Sequence, residues 1–187
     1  MQPIMRKIEW RRILKRRRAA YQAAHPLAKM LAVRHLVRAI GRHKKVAIYA
    51  PIGDELDILP LVDIAPEHQF LLPRIELGDD RKGMIFLPFS AGLEEGPHGV
   101  KQPPKGIEVA PDIVVLPLLG MDQQGVRLGY GGGYYDRKLA LLPHVHRVGV
   151  GFATQLVASL PRAAHDMGLD MMVTDLGILD VDRGALF

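Results

Sequence analysis

Charged residues crowd positions 6–24, yet Ile8, Leu14 and Tyr21 recur among them as one side of a helix, with Trp10 beside it. Neither proline nor glycine interrupts the segment, so the pattern predicts a helix there. Pro26 breaks it. Leu27, Met30, Leu31, Val37 and Ile40 then trace a second apolar stripe, which predicts a helix over 27–40 with Gly41 as its stop. From residue 45 the pattern changes to short apolar runs. Segments 45–50 (KVAIYA), 69–73, 84–88, 112–117 (DIVVLP), 147–152 and 171–174 predict strands. Short helices are predicted over 56–65, where Pro60 disturbs the pattern, over 134–142 and over 154–159. The glycines and prolines of 90–111 predict mostly loop.

Apolar strands alternating with helices imply an α/β fold with a mostly parallel central sheet covered on both faces. The chain of 187 residues suits a single domain spanning 1–187, with no internal repeat or low-complexity linker. In parallel sheets, ligands bind beyond the carboxyl ends of the strands. The loops at 51–55, 118–133 and 152–155 all follow predicted strands and are expected to converge there.

Composition narrows the chemistry. Hydrophobic residues make up 48% and charged residues 24%, ordinary values for a chain with a real core. No apolar run is long enough to cross a bilayer, and the basic start lacks the apolar stretch of a secretion signal. The expectation is a cytoplasmic protein that does not associate with membranes. The absence of cysteine removes disulfides, thiolate nucleophiles and zinc–cysteine sites. The net charge of +5 is uneven, with Lys15, Arg16, Arg17 and Arg18 in one run after Arg11 and Arg12. Such a run fits a nucleic-acid footprint, a small polyanion such as a nucleotide, or a solvated helix face. The last reading is favoured, because aromatic interleaving and any nucleic-acid motif are missing.

The most informative segment is Arg127-Leu128-Gly129-Tyr130-Gly131-Gly132-Gly133-Tyr134-Tyr135-Asp136-Arg137, between a predicted strand and a predicted helix. Its glycines permit positive φ and let a ligand touch the backbone, and the start of the helix that follows favours phosphate. No Gly-Lys-Ser/Thr follows, so it is not a Walker loop, and it is a poor dinucleotide fingerprint. Asp136, in the first helical turn, is placed either to complement the helix dipole or to bind Mg²⁺. Arg127 suits a phosphate or a nearby acid.

RLGYGGGYYDR resembles the signature of the 5-formyltetrahydrofolate cyclo-ligases, also called methenyltetrahydrofolate synthetases. Upstream, Pro117-Leu118-Leu119-Gly120-Met121-Asp122, followed by Gly125, resembles that family's P-G-x-x-F-D segment. Gly53-Asp54-Glu55-Leu56-Asp57 resembles its G-x-E-x-D-T. Gln155, Pro161, His165 and Asp166 resemble its closing segment, and Lys7 and Arg11 fit its first helix. The resemblance implies a three-layer α/β sandwich, a monomer, and ATP- and Mg²⁺-dependent conversion of 5-formyltetrahydrofolate, with or without a polyglutamate tail, to 5,10-methenyltetrahydrofolate. It further implies that the formyl oxygen attacks the γ-phosphate, that N10 attacks the phosphorylated carbon, and that ADP and phosphate leave.

Carried over by position, the resemblance implies nucleotide contacts from Lys7, Arg11, Arg127, Gly129, Tyr130, Gly131, Gly132, Gly133, Tyr134 and Tyr135, and a weaker one from Arg74. It implies folate contacts from Glu55, Met121, Tyr134 and the three successive glycines, catalytic roles for Arg127 and Tyr134, and Mg²⁺ ligation by Asp136 and Asp166. Three positions depart from the family pattern. Ile58 stands where threonine is usual, Met121 replaces phenylalanine, and Gln102 replaces glutamate. Ile58 and Met121 motivate an alternative reading, a nucleotide-dependent enzyme of the same fold acting on another small acid or amide. Nucleic-acid binding through the basic first helix is a third reading, and it leaves the glycine loop unexplained.

Overall fold

A computed structural model describes residues 5–76, 83–89 and 92–181, so Ser90 and Ala91 of the predicted 90–111 loop lie outside the described residues. The helices are α1 (Lys7–Ala24), α2 (Ala28–Ile40), α3 (Leu61–Ile64) and α4 (Tyr134–Ala140). The first strands are β1 (Lys45–Ala47), β2 (Gln69–Ile75), β3 (Met84–Pro88), β4 (Glu94–Glu95), β5 (Lys101–Gln102) and β6 (Ile113–Leu116). The chain continues through β7 (Gly120–Asp122), β8 (Arg127–Leu128), β9 (His146–Val150), β10 (Leu156–Val157), β11 (Met171–Thr174) and β12 (Gly177–Asp180). No helix among the described residues is long and apolar enough to cross a membrane.

A seven-stranded sheet runs in the order β12-β11-β9-β6-β1-β2-β3. Its interior pairings are parallel, and the edge strands β3 and β12 are antiparallel. Side chains alternate between its faces, as the two-residue period of a strand requires. Val46, Phe70, Val115, Val148 and Val173 join one apolar cluster with α2. Ala47, Leu71, Val114, Leu116 and Met172 join another with Leu139 of α4. The sheet is therefore covered on both faces, and the three-layer α/β expectation holds.

From β1 the chain steps to one side to make β2 and later returns to the other side to make β6. At such a switch the loops leaving the two neighbouring strands diverge and open a crevice. A small sheet, β10-β7-β8, lies beside this crevice. Helix α1 docks on it through Leu14, which has no exposed surface and packs with Leu119, Val126, Leu128 and Leu160. A Cβ on Gly120 would stand 2.5 Å from a Leu14 methyl, so glycine permits this close approach.

Several elements differ from the sequence expectation. In α2 the buried residues are Ala28, Ala32, Val33, Leu36 and Ile40, while Leu27 and Met30 are exposed. The small alanines let the helix approach the sheet, which turns the larger residues outward. The helix predicted over 56–65 shrinks to α3, because side-chain bonds hold the chain before it. The Tyr49 hydroxyl donates to the Leu56 carbonyl at 2.8 Å, and Asp57 accepts the Leu59 N–H at 3.1 Å. Pro60 precedes the first turn rather than disrupting it. The helix predicted over 154–159 is a single 3₁₀ turn, Ala153–Gln155, followed by β10. The buried Gln155 amide spans Phe152 N–H and the Leu118 and Leu119 carbonyls, which ties this segment to β7. The predicted loop over 118–133 contains β7 and β8, and that over 90–111 contains β4 and β5, which pair as a hairpin. The apolar pattern does not predict β12.

Asp122 explains one motif without ligand chemistry. It is buried, and its carboxylate accepts the N–H groups of Gln124 at 3.1 Å, Val126 at 2.9 Å and Leu160 at 2.8 Å. The turn closes at Gly125, whose φ of +76° favours glycine. Asp122→Ala strands these donors and is expected to cost about 3 kcal/mol or more in urea unfolding, since each unmet buried donor costs about 1–3 kcal/mol.

Candidate functional site

The crevice at the β1/β6 switch opens into a cavity of about 760 Å³, a size that holds a nucleotide or a similar small molecule. Helix α1 supplies Lys7 and Arg11, and the loop after β1 supplies Ile52 and Glu55. Strand β8 and the glycine loop supply the run from Arg127 to Asp136, and the chain after β10 adds His165 and Asp166. The opposite wall comes from Ile75, Met84, Val100 and Gln102.

Two carboxylates of this cavity are paired with cations from other segments. Arg127 donates through Nη2 to both oxygens of Asp136 at 3.0 Å. Lys7 Nζ meets Asp166 Oδ2 at 2.5 Å. Burial alone would raise the Asp166 carboxyl, but the Ala163 N–H at 2.6 Å and the Lys7 ammonium outweigh it and hold Asp166 below the ordinary carboxylate value. Arg11 donates from Nε to the Gly129 carbonyl at 2.8 Å, clasping the glycine loop to α1.

That loop needs glycine for two distinct reasons. Gly131 has φ +107° and faces Arg11, whose guanidinium would lie 3.2 Å from an added Cβ. Gly133 precedes α4 with φ +68° and makes no side-chain cap. The next residues belong to α4, a seven-residue helix whose first turn carries Asp136.

Glu55 lies at the inner end of the cavity and is only 5% exposed. Its carboxylate accepts the Ile52 N–H at 2.7 Å. Burial outweighs that bond, so the carboxyl is held above its ordinary value. The phenols of Tyr130 and Tyr135 are pushed up, first by burial and then by the Glu55 charge.

Of the expected site residues, the cavity brings together Lys7, Arg11, Glu55, Asp166 and the loop from Arg127 through Asp136. Met121 and Arg74 do not reach it. Met121 has no exposed surface and packs between the sheet and α4. Arg74 is spent on Glu76 at 3.2 Å, on Glu94 and on the Pro103 carbonyl at 2.7 Å, bracing the β4–β5 hairpin. Among the described residues no group of three or more His, Asp or Glu side chains is placed to hold a metal ion.

Residues 3–175 match the 5-formyltetrahydrofolate cyclo-ligase family. The chain belongs to this family. It is 43% identical to the 5-formyltetrahydrofolate cyclo-ligase of Escherichia coli over 150 residues, covering 69% of this chain and 76% of that one. A mouse 5-formyltetrahydrofolate cyclo-ligase is 28% identical over 178 residues, 84% of this chain and 87% of that one. The solution structure of 5,10-methenyltetrahydrofolate synthetase from Aquifex aeolicus superposes with a TM-score of 0.78 at 30% identity, covering 98% of this chain and 96% of that one.

Against the family pattern, the departures divide. Ile58 has no exposed surface and belongs to the core, as Met121 does. Only Gln102 lines the cavity, and its Oε1 accepts the Ile75 N–H at 3.1 Å. Sequence reasoning missed Tyr49, the far-wall residues, and the placement of Arg18, which is 1% exposed rather than part of a solvated face. A signal existed for Arg18, since Lys7, Arg11, Leu14 and Arg18 keep the spacing of one helix face.

The Glu55 environment gives a pH dependence with a definite sign. Unfolded, its carboxyl ionises near the ordinary 4.5, whereas folded it holds its proton to higher pH. The stability this group contributes is thus full below the unfolded value and falls as pH rises toward the folded one. Glu55→Gln keeps an acceptor for the Ile52 N–H. Its melting temperature relative to the native protein is expected to be level at about pH 4 and to gain as pH rises from there, then to stay flat.

Proposed function

We propose that this chain, as a cytoplasmic monomer, converts 5-formyltetrahydrofolate and ATP to 5,10-methenyltetrahydrofolate, ADP and phosphate, on folates with one or several glutamates. The observation that carries this reading is one cavity lined both by three cations with a glycine loop and by a buried carboxylate with tyrosines. A triphosphate and a ring with N–H donors are complementary to those two halves.

An N-formyl group is an amide, so its carbon is a poor electrophile and its oxygen a poor leaving group. Attack of the formyl oxygen on the γ-phosphorus breaks the bond to ADP and makes that oxygen part of a phosphate ester. N10 then adds to the activated carbon, loses its proton, and expels phosphate to close the ring. Such chemistry asks the protein for positioning and charge stabilisation and for no covalent nucleophile. Lys7, Arg11 and Arg127 offset the phosphate charge. Gly131 and its neighbours let phosphate oxygens approach the backbone, and Tyr134 lies beside them where both substrates meet. Glu55 accepts from pterin N–H groups and fixes the ring's orientation.

Asp136 and Asp166 are hard oxygen donors on one cavity, a pair that suits Mg²⁺, which fills its shell with phosphate oxygens and water. When bound, the ion would supply further neutralisation of the phosphates. Binding then requires Arg127 and Lys7 to leave Asp136 and Asp166 for the phosphates. The alternative of another acid or amide substrate loses its motivation, because Ile58 and Met121 lie in the core.

Purified protein with 5-formyltetrahydrofolate, ATP and Mg²⁺ is expected to develop the ultraviolet absorbance of the methenyl product, and to release phosphate only when the folate is present. Folded, nucleotide-binding protein that produces neither signal defeats the proposal. Asp136→Asn is expected to lower Mg²⁺-dependent turnover about 10²-fold with the circular dichroism spectrum unchanged. Undiminished activity removes Asp136 from the metal site.

A further inference from the structure

Arg18 is a fully buried guanidinium that does not line the cavity, with 1% of its surface exposed. Burying a charge this completely is costly unless partners surround it. Its partners come from separate segments that build the crevice. Nη2 donates to Asp54 Oδ1 at 2.6 Å and Nε to Asp54 Oδ2 at 3.3 Å, in the loop after β1. Nη1 reaches the Leu118 carbonyl at 3.5 Å, just beyond β6, where Gln155 Nε2 also donates at 2.8 Å. The guanidinium carbon lies 5.8 Å from the centre of the Tyr130 ring, on the glycine loop.

Tyr130 connects this cation to the cavity. Nearly half of the residue is exposed, at 45%; its ring lies beside the Arg18 guanidinium, it lines the cavity together with Glu55, and burial and then the Glu55 charge raise its phenol. Asp54, Arg18, Tyr130 and Glu55 thus form one polar chain. Its first member is anchored outside the cavity and its last two line it. A guanidinium suits this place because its fixed planar fork serves several acceptors together, which an ammonium on a flexible stem does not.

We propose that Arg18 is a positioning residue for the folate half of the site: it sets the Tyr130 hydroxyl, and through it the Glu55 carboxylate, in the orientation that receives the pterin. The nucleotide half is set separately, by Arg11 on the Gly129 carbonyl and by the Arg127–Asp136 and Lys7–Asp166 pairs. Loss of Arg18 therefore acts on one substrate and not on the other. The inference rests on the folate reading of the cavity.

The test is a double-mutant cycle with Arg18→Lys and Tyr130→Phe, singly and together, measuring KM for 5-formyltetrahydrofolate and for ATP. Arg18→Lys keeps the charge and loses the fork. It is expected to raise the folate KM about tenfold, the worth of one charge-assisted hydrogen bond, and to leave the ATP KM within about twofold. In the Tyr130→Phe background the same substitution is expected to change the folate KM less than about twofold. A merely structural role would raise both KM values, or would add undiminished to Tyr130→Phe, and either result overturns the proposal. Should Arg18→Lys fail to fold, Asp54→Asn at the outer end of the chain takes its place in the cycle, with the same expected changes and the same overturning results. A native protein inactive on 5-formyltetrahydrofolate sinks the folate reading and this inference together. An active one with an additive cycle sinks this inference alone.

Discussion

The site exists because the chain changes direction across its sheet at β1. Strands on either side of that point send their loops apart, and the crevice between them is the one place where α1, the glycine loop and the β1 loop can all meet. Everything polar in the cavity is held by elements that are themselves anchored in apolar layers. Val46 and Ala47, adjacent in sequence, point into opposite cores. That alternation keeps β1 in register, and β1 in turn aims the loop bearing Glu55. Precision at the site is thus inherited from packing rather than from the loops.

The charges around the cavity satisfy one another. Arg127 rests on Asp136 and Lys7 on Asp166, so the protein by itself buries little uncompensated charge. Under the proposed function, a nucleotide arriving with its cation would offer each group a new partner of the opposite sign. The exchange trades ion pairs for ion pairs, and this limits the penalty of stripping water from the site. Glu55 lies outside this arrangement. It is desolvated, and burial raises its affinity for protons by more than the Ile52 N–H and the Arg18 charge lower it.

Strand periodicity is the most legible part of the fold, because runs such as IVVL have no other place than a sheet buried on both sides. Helix faces are harder to read. The largest apolar residues of α2 put its stripe through Leu27 and Met30, while the sheet selects the alanines that let the backbone come close. The glycine loop is legible as backbone that turns through positive φ beside the cavity, at Gly131 and Gly133, since that geometry favours glycine whatever surrounds it. Met121 and Arg74 are reached only through their place in a motif, and a motif does not reveal which face of a strand a side chain takes. Arg18 is hidden by its neighbours. Within a run of basic residues only its helical phase with Lys7, Arg11 and Leu14 separates it from a solvated charge.

Helix α1 carries Lys7, Arg11 and Arg18 but contributes no strand to the sheet; it is held by Leu14 on the small sheet, by Tyr21 on the main core and Asp175, and by Arg18 on Asp54. Its anchors reach separate parts of the molecule, so its position is coupled to the small sheet, the main core and the loop after β1 at once. A single helix thus sets three cations together, and whatever shifts the packing of the fold shifts all three in step.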